Sequence, residues 1–118
     1  MDDSRPIFQQ IAEQLEAQIV DGSMGEETQV PSINDLAAFH RINPATALKG
    51  VNLLVERGIL YKRRGIGMFV AEGARAKLIE ARREAFRDEH LRPLVARALA
   101  IGITPQQLAQ MIGKEAAQ

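Results

Sequence analysis

Two helix-start signals one tight turn apart, a pair of short strands around a glycine turn, and flanking stretches of helical periodicity predict a mainly α fold with one small β-hairpin. The order helix, turn, helix, hairpin is a winged helix-turn-helix, and a short α-helical tail follows it. The winged part is expected over residues 1–71 and the tail over 72–118.

From Pro6 to Val20, Ile7, Ile11, Leu15 and Ile19 recur every four residues, and Phe8, Ala12 and Val20 widen the stripe. Glutamine and glutamate fill most of the opposite face, which makes this an amphipathic helix. Asp21-Gly22 ends it, and the polar run Ser23–Gln29 is expected to be a loop that delivers Val30 and Pro31 to the next helix. That helix opens at Ser32, which with Asp35 three residues on resembles a capping box. Ile33, Leu36, Ala37 and Phe39 are expected to face inward, with Asn34 and Asp35 near the exposed start. Asn43 followed by Pro44 is the second start signal, an N-cap with proline in the first turn, and the helix runs to Arg57 before Gly58 stops it. Ala47, Gly50, Val51 and Leu54 are assigned to its core face. Ala45, Lys49, Asn52 and Glu56 then lie outside with Thr46 beside them, and Leu48 and Val55 pack on neighbouring helices. Ile59–Arg63 and Gly67–Ala71 read as the two strands.

After the hairpin, Gly73 to Ile101 is rich in alanine, arginine and glutamate. Pro93 lacks an amide donor and clashes with the preceding turn, so a break or kink is expected near His90 to Arg92. Gly102 closes the segment, and Thr104, Pro105 and Gln107 open a terminal helix through Leu108, Met111 and Ile112. Leu78, Ile79, Phe86, Leu91, Leu94, Val95 and Leu99 give this tail more apolar surface than one thin layer covers, which predicts a homodimer interface. The competing expectation is that the tail folds back onto the helix of Pro6–Val20.

The formal charge of zero hides a division. Residues 1–40 hold eight acids against Arg5, whereas residues 41–71 hold Arg41, Lys49, Arg57, Lys62, Arg63 and Arg64 against Glu56 alone. Positive charge gathered on the second helix and hairpin is the footprint of phosphate contact, because each neutralised phosphate releases condensed counterions. With no cysteine, neither a disulfide nor a thiolate metal site can form. The start MDDSRPIF lacks a basic, apolar leader, and no apolar run approaches a membrane span, so a cytoplasmic protein is expected. Aromatic residues make up only 4% of the chain, with no tryptophan, which argues against base-stacking single-strand recognition. His40 and His90 stand apart without spaced carboxylates, no nucleophile motif occurs, and Gly65-Ile66-Gly67 precedes a strand rather than a helix. An enzyme is not expected, and neither is a cofactor or a metal.

The fragments P-I-F-Q-Q-I, V-P-S-I-N-D-L-A, N-P-A-T-A-L-K-G and E-R-G-I-L-Y-K-R-R-G-I-G-M-F-V together resemble the GntR family of bacterial transcription regulators over about residues 6–71. The brief tail is similar to that of its YtrA-like subfamily. This resemblance implies a homodimeric winged-helix regulator of a double-stranded DNA operator, usually a repressor and often of a transporter operon, with any small-molecule effector unidentified. It implies DNA contacts from Ser32 and Asn34, from Asn43, Ala45, Thr46 and Lys49, and from Arg63, Arg64, Gly65 and Ile66 at the wing tip. Asn34 stands where the family usually has arginine, so a cation is lost there. The other class of function open to the sequence is a winged-helix module that uses its basic hairpin to hold an acidic protein partner.

Overall fold

The computed structural model describes residues 4–118. Its elements follow the order α1 (Ile7–Asp21), α2 (Ile33–His40), α3 (Pro44–Glu56), β1 (Leu60–Arg63), β2 (Gly67–Val70), α4 (Ala74–Phe86), a π-helical turn at Arg87–Leu91, α5 (Arg92–Ala100) and α6 (Pro105–Ala116). The chain divides into two compact units, one ending at Ile79 and one running from Glu80 to Gln118, so the boundary falls within α4.

The first unit is built on α1, which packs against α3 while α2 packs across α3. Ile11, Ala12, Leu15 and Ile19 of α1 meet Leu36 and Ala37 of α2 and Val51 and Leu54 of α3 in one apolar core. The assigned core face of α3 is the observed one, since Ala47, Gly50, Val51 and Leu54 are its buried residues. Side chains one step of about 100° off these stripes turn outward. Phe39, expected inside, is therefore 82% exposed, its ring set edge-to-face against that of His40. Leu48 and Ile7 are likewise left partly exposed, each at 42%. Gln10 is buried instead, with its amide donating to the Arg5 carbonyl at 3.0 Å.

The run after α1 is more ordered than a free loop. β1 and β2 pair antiparallel with Leu60 opposite Val70 and Arg63 opposite Gly67, and Gln29 bridges to Phe69 on the other edge of β2. Backbone bonds Glu27 N–H to Val70 O, Val70 N–H to Thr28 O and Val30 N–H to Met68 O lay this segment along the hairpin. Acids at and after the end of α1 are engaged in hydrogen bonds, most of them to distant segments. Glu27 accepts the Tyr61 hydroxyl proton, and that bond holds the phenol above its usual pKa. Ser23 donates to Asp21 and holds its carboxyl below the usual range. Glu26 accepts from the Gly73 and Arg75 amides at 2.8 and 3.2 Å, capping α4 from 47 residues away. Glu26→Ala is expected to cost about 1 kcal/mol, the usual loss for an N-terminal cap, and equilibrium urea unfolding measures it.

Ala74 and Leu78 of α4 are buried in this same core, Leu78 at 6% exposure. A fully buried leucine contributes about 2 kcal/mol, so Leu78 belongs to the packing of the first unit rather than to a free interface face.

In the second unit α5 packs on α6. The expected break near His90 to Arg92 takes the form of a π turn, in which the Arg92 amide bonds to the Arg87 carbonyl. Pro93 cannot donate to Glu89, and the wider turn accommodates it without ending the helix. Gly102, at φ +80°, reverses the chain after α5. Thr104 and Gln107 then form both bonds of a capping box, at 3.1 and 2.9 Å, at the start of α6.

Candidate nucleic-acid interface

The turn between α2 and α3 is set by three local features. Arg41 takes a left-handed conformation at φ +56°, the Ile42 amide reaches the Ala37 carbonyl at 3.0 Å, and Asn43 Oδ1 accepts from the Ala45 amide at 2.8 Å. Asn43 is thus a helix cap, whatever else it touches. Ser32 Oγ accepts from the Asp35 amide at 3.0 Å, but Asp35 gives no return bond. Aspartate is one methylene shorter than the glutamate or glutamine that completes a capping box, so only half of the expected motif forms.

These caps leave Ser32, Asn34 and Asn43 exposed at the two helix starts. On α3, Ala45, Lys49, Asn52 and Glu56 are exposed and Thr46 is half-buried, as the face assignment requires. Lys49 Nζ lies 4.2 Å from the centre of the Phe8 ring. Periodicity gives Phe8 no role beyond widening the apolar stripe of α1, and nothing in its local sequence signals a partner 41 positions away.

The hairpin presents Arg63, Arg64, Gly65 and Ile66 at its tip, all exposed. Ile66 N–H bonds to Arg63 O at 2.9 Å, and Gly65 and Gly67 adopt φ +75° and +145°, where a side chain would be strained. Gln29 Nε2 donates to the Ile66 carbonyl at 3.0 Å and tethers the tip from the adjoining segment. The Arg63 guanidinium covers Phe69 at 4.9 Å, and Tyr61 stacks on the same ring at 6.0 Å. Gln29 is a contributor that the sequence pattern hid inside a supposed loop.

Charge at this surface is largely unneutralised. Arg57 approaches Glu16 at 3.7 Å, whereas Lys49, Lys62, Arg63 and Arg64 have no carboxylate within ion-pair distance among the described residues. An exposed helix face carrying small and polar groups, beside a cationic hairpin, has the dimensions and sign for duplex DNA. No group of three or more histidine, cysteine or acidic side chains is placed to hold a metal among the described residues. No helix among them is long and apolar enough to cross a membrane.

The family model described as bacterial regulatory proteins, gntR family, matches residues 7–70, the helices and hairpin just described. The chain belongs to the GntR family. It is a DNA-binding transcription regulator with the winged helix of that family, and its relatives are regulators rather than enzymes. It is similar to the HTH-type transcriptional repressor YtrA of Bacillus subtilis, with 30% identity over 109 residues that cover 92% of this chain and 83% of the relative. A GntR-family transcriptional regulator from Bacteroides thetaiotaomicron superposes with a TM-score of 0.75 at 29% identity, covering 94% of this chain and 96% of that one. AraR(DBD), solved in complex with operator ORX1, matches 60% of this GntR chain and 87% of its own length at 28% identity and a TM-score of 0.56.

Proposed function

We propose that this regulator is a cytoplasmic repressor that binds an inverted-repeat operator as a homodimer, and that its target is a transporter operon, as the subfamily resemblance implies. The observation that carries the DNA-contact reading is the pair of exposed, unneutralised cationic sites on one compact unit, Lys49 on the outer face of α3 and Arg63 with Arg64 at the wing tip. In this reading Asn43, Ala45, Thr46 and Lys49 enter the major groove. Ser32 and Asn34 meet the flanking backbone, and the wing tip from Arg63 to Ile66 follows phosphates or the minor groove. The names of YtrA and of NagR, both HTH-type transcriptional repressors of Bacillus subtilis, support repression over activation.

The test is an electrophoretic mobility shift with the duplex upstream of the chain's own gene against scrambled competitor. A specific shift is expected. No shift, together with capture of an acidic polypeptide, would replace this reading with the protein-interaction one. Within it, Arg64→Ala should weaken binding evenly across operator variants and make the slope of log affinity against log salt shallower by about one. Filter-binding isotherms at several salt concentrations measure both quantities. Lys49→Ala should instead lose discrimination at particular base pairs, and a uniform loss over all operator mutants would remove Lys49 from the groove.

A further inference from the structure

We infer that Phe8 is a positioning residue for DNA recognition, its ring acting as the seat that holds the Lys49 ammonium on the outer face of α3. The inference rests on the proposed role of that face. It adds a residue from another helix whose effect must pass through Lys49.

Three observations converge on it. The first is the 4.2 Å separation of Lys49 Nζ from the ring centre, within the range where a cation is drawn to an aromatic face. The second is how the ring comes to be there. Gly50, the neighbour of Lys49, has no side chain, and a Cβ built on it would stand 2.8 Å from the Phe8 carbonyl and 3.2 Å from Ile11 Cβ. The backbone of α1 therefore lies directly against α3 at this point, and Phe8, half-buried, projects its ring beside residue 49. The third is the lack of any competing partner. Ala45, Leu48, Asn52 and Leu53 line the same hollow with Glu56, yet Glu56 makes no ion pair with Lys49. Among the described residues no oxygen accepts a Lys49 hydrogen bond, so its N–H donors stay available for acceptors on a base edge.

A free lysine on a helix surface samples many rotamers and must be ordered when it binds. A ring that already confines the ammonium lowers that ordering cost and fixes where along the groove the charge arrives. Phe8 thus bears on which base pair is read as well as on affinity.

A double-mutant cycle on the full chain, with the upstream duplex and its single-base-pair variants as probes, tests this. Phe8→Leu should weaken binding about two- to fivefold, the size of an exposed cation–π contact, and relax discrimination at the same base pairs as Lys49→Ala. Phe8→Tyr, which keeps the ring, should restore both. In the Lys49→Ala background Phe8→Leu should change nothing further. Equal losses from Phe8→Leu in both backgrounds would show a purely structural role and overturn the inference, while leaving Lys49 in the groove. If Lys49→Ala binds every duplex like the parent, the reading of the α3 face falls and the inference falls with it. Should Phe8→Leu fail to fold, trifluorinated phenylalanine at position 8 keeps shape while withdrawing the ring's negative face. Its affinity should drop only when Lys49 is present, and an unchanged affinity would overturn the inference.

Discussion

Gly50→Val is expected to destabilise the protein by about 3 kcal/mol, the upper part of the range for overpacking a well-filled site. The conflict is with backbone. A Cβ at this position would meet the Phe8 carbonyl oxygen at 2.8 Å and Ile11 Cγ2 at 3.3 Å, and valine adds two methyl groups beyond it. A carbonyl inside α1 cannot rotate away without breaking the helix, so α1 as a whole must back off from α3. Valine's better helix propensity returns only about half a kcal/mol, too little to change the sign. Gly113 in α6 provides the contrast, because a Cβ added there would have no atom within 4 Å and its φ is not left-handed. Gly113→Ala should therefore stabilise by about 0.5–1 kcal/mol through the entropy of the unfolded chain. Urea unfolding of both variants measures the two signs. A neutral Gly50→Val would mean that α1 and α3 do not approach this closely.

Local spacing controls what is legible in the sequence. The core face of α3 follows from periodicity, because Ala47, Gly50, Val51 and Leu54 are three and four apart and two of them are small enough for close helix contact. The Thr104 cap and the disturbance before Pro93 follow from the few backbone conformations those residues allow. What stays hidden depends on partners distant in the chain. The pairing of Thr28 and Val30 with β2, the capping of α4 by Glu26, the Gln29 tether and the seat of Lys49 on Phe8 each join segments some 35 to 50 positions apart. Phe39 defies its hydropathy for a different reason. A helix of eight residues has room for one narrow stripe, and Leu36 and Ala37 already fill it with Ile33 packed beside them. For the interface, the residue types and the charge are legible, while the geometry that orients Lys49 and the wing is not.

Leu94→Asp with Leu99→Asp should turn the proposed dimer into a monomer and lower affinity for an inverted repeat by about two to four orders of magnitude. The second unit has 39 residues, a size at which a helical core is rarely sufficient by itself. Its buried apolar side chains are Ala98 and Leu108, while Phe86, Leu91, Leu94, Leu99, Ile101, Met111 and Ile112 remain exposed in the single chain. A second copy would remove that surface from water, and each half-exposed leucine so covered would contribute about 1 kcal/mol to association. Two-fold packing would also pair the recognition helices, so that each half of a symmetric operator meets one α3. Because Leu94 and Leu99 are about half exposed, the aspartates should leave the fold of one chain nearly as stable as before. They would place four carboxylates in the shared face. Leu78 is not a suitable position for this test, since its burial in the first unit would confuse unfolding with dissociation. Sedimentation equilibrium at micromolar concentration should give a dimer for the parent and a monomer for the double variant. The variant should bind a single half-site like the parent and lose only the gain from the second half. A parent chain that sediments as a monomer and still binds an inverted repeat tightly would refute the tail as the dimerisation element.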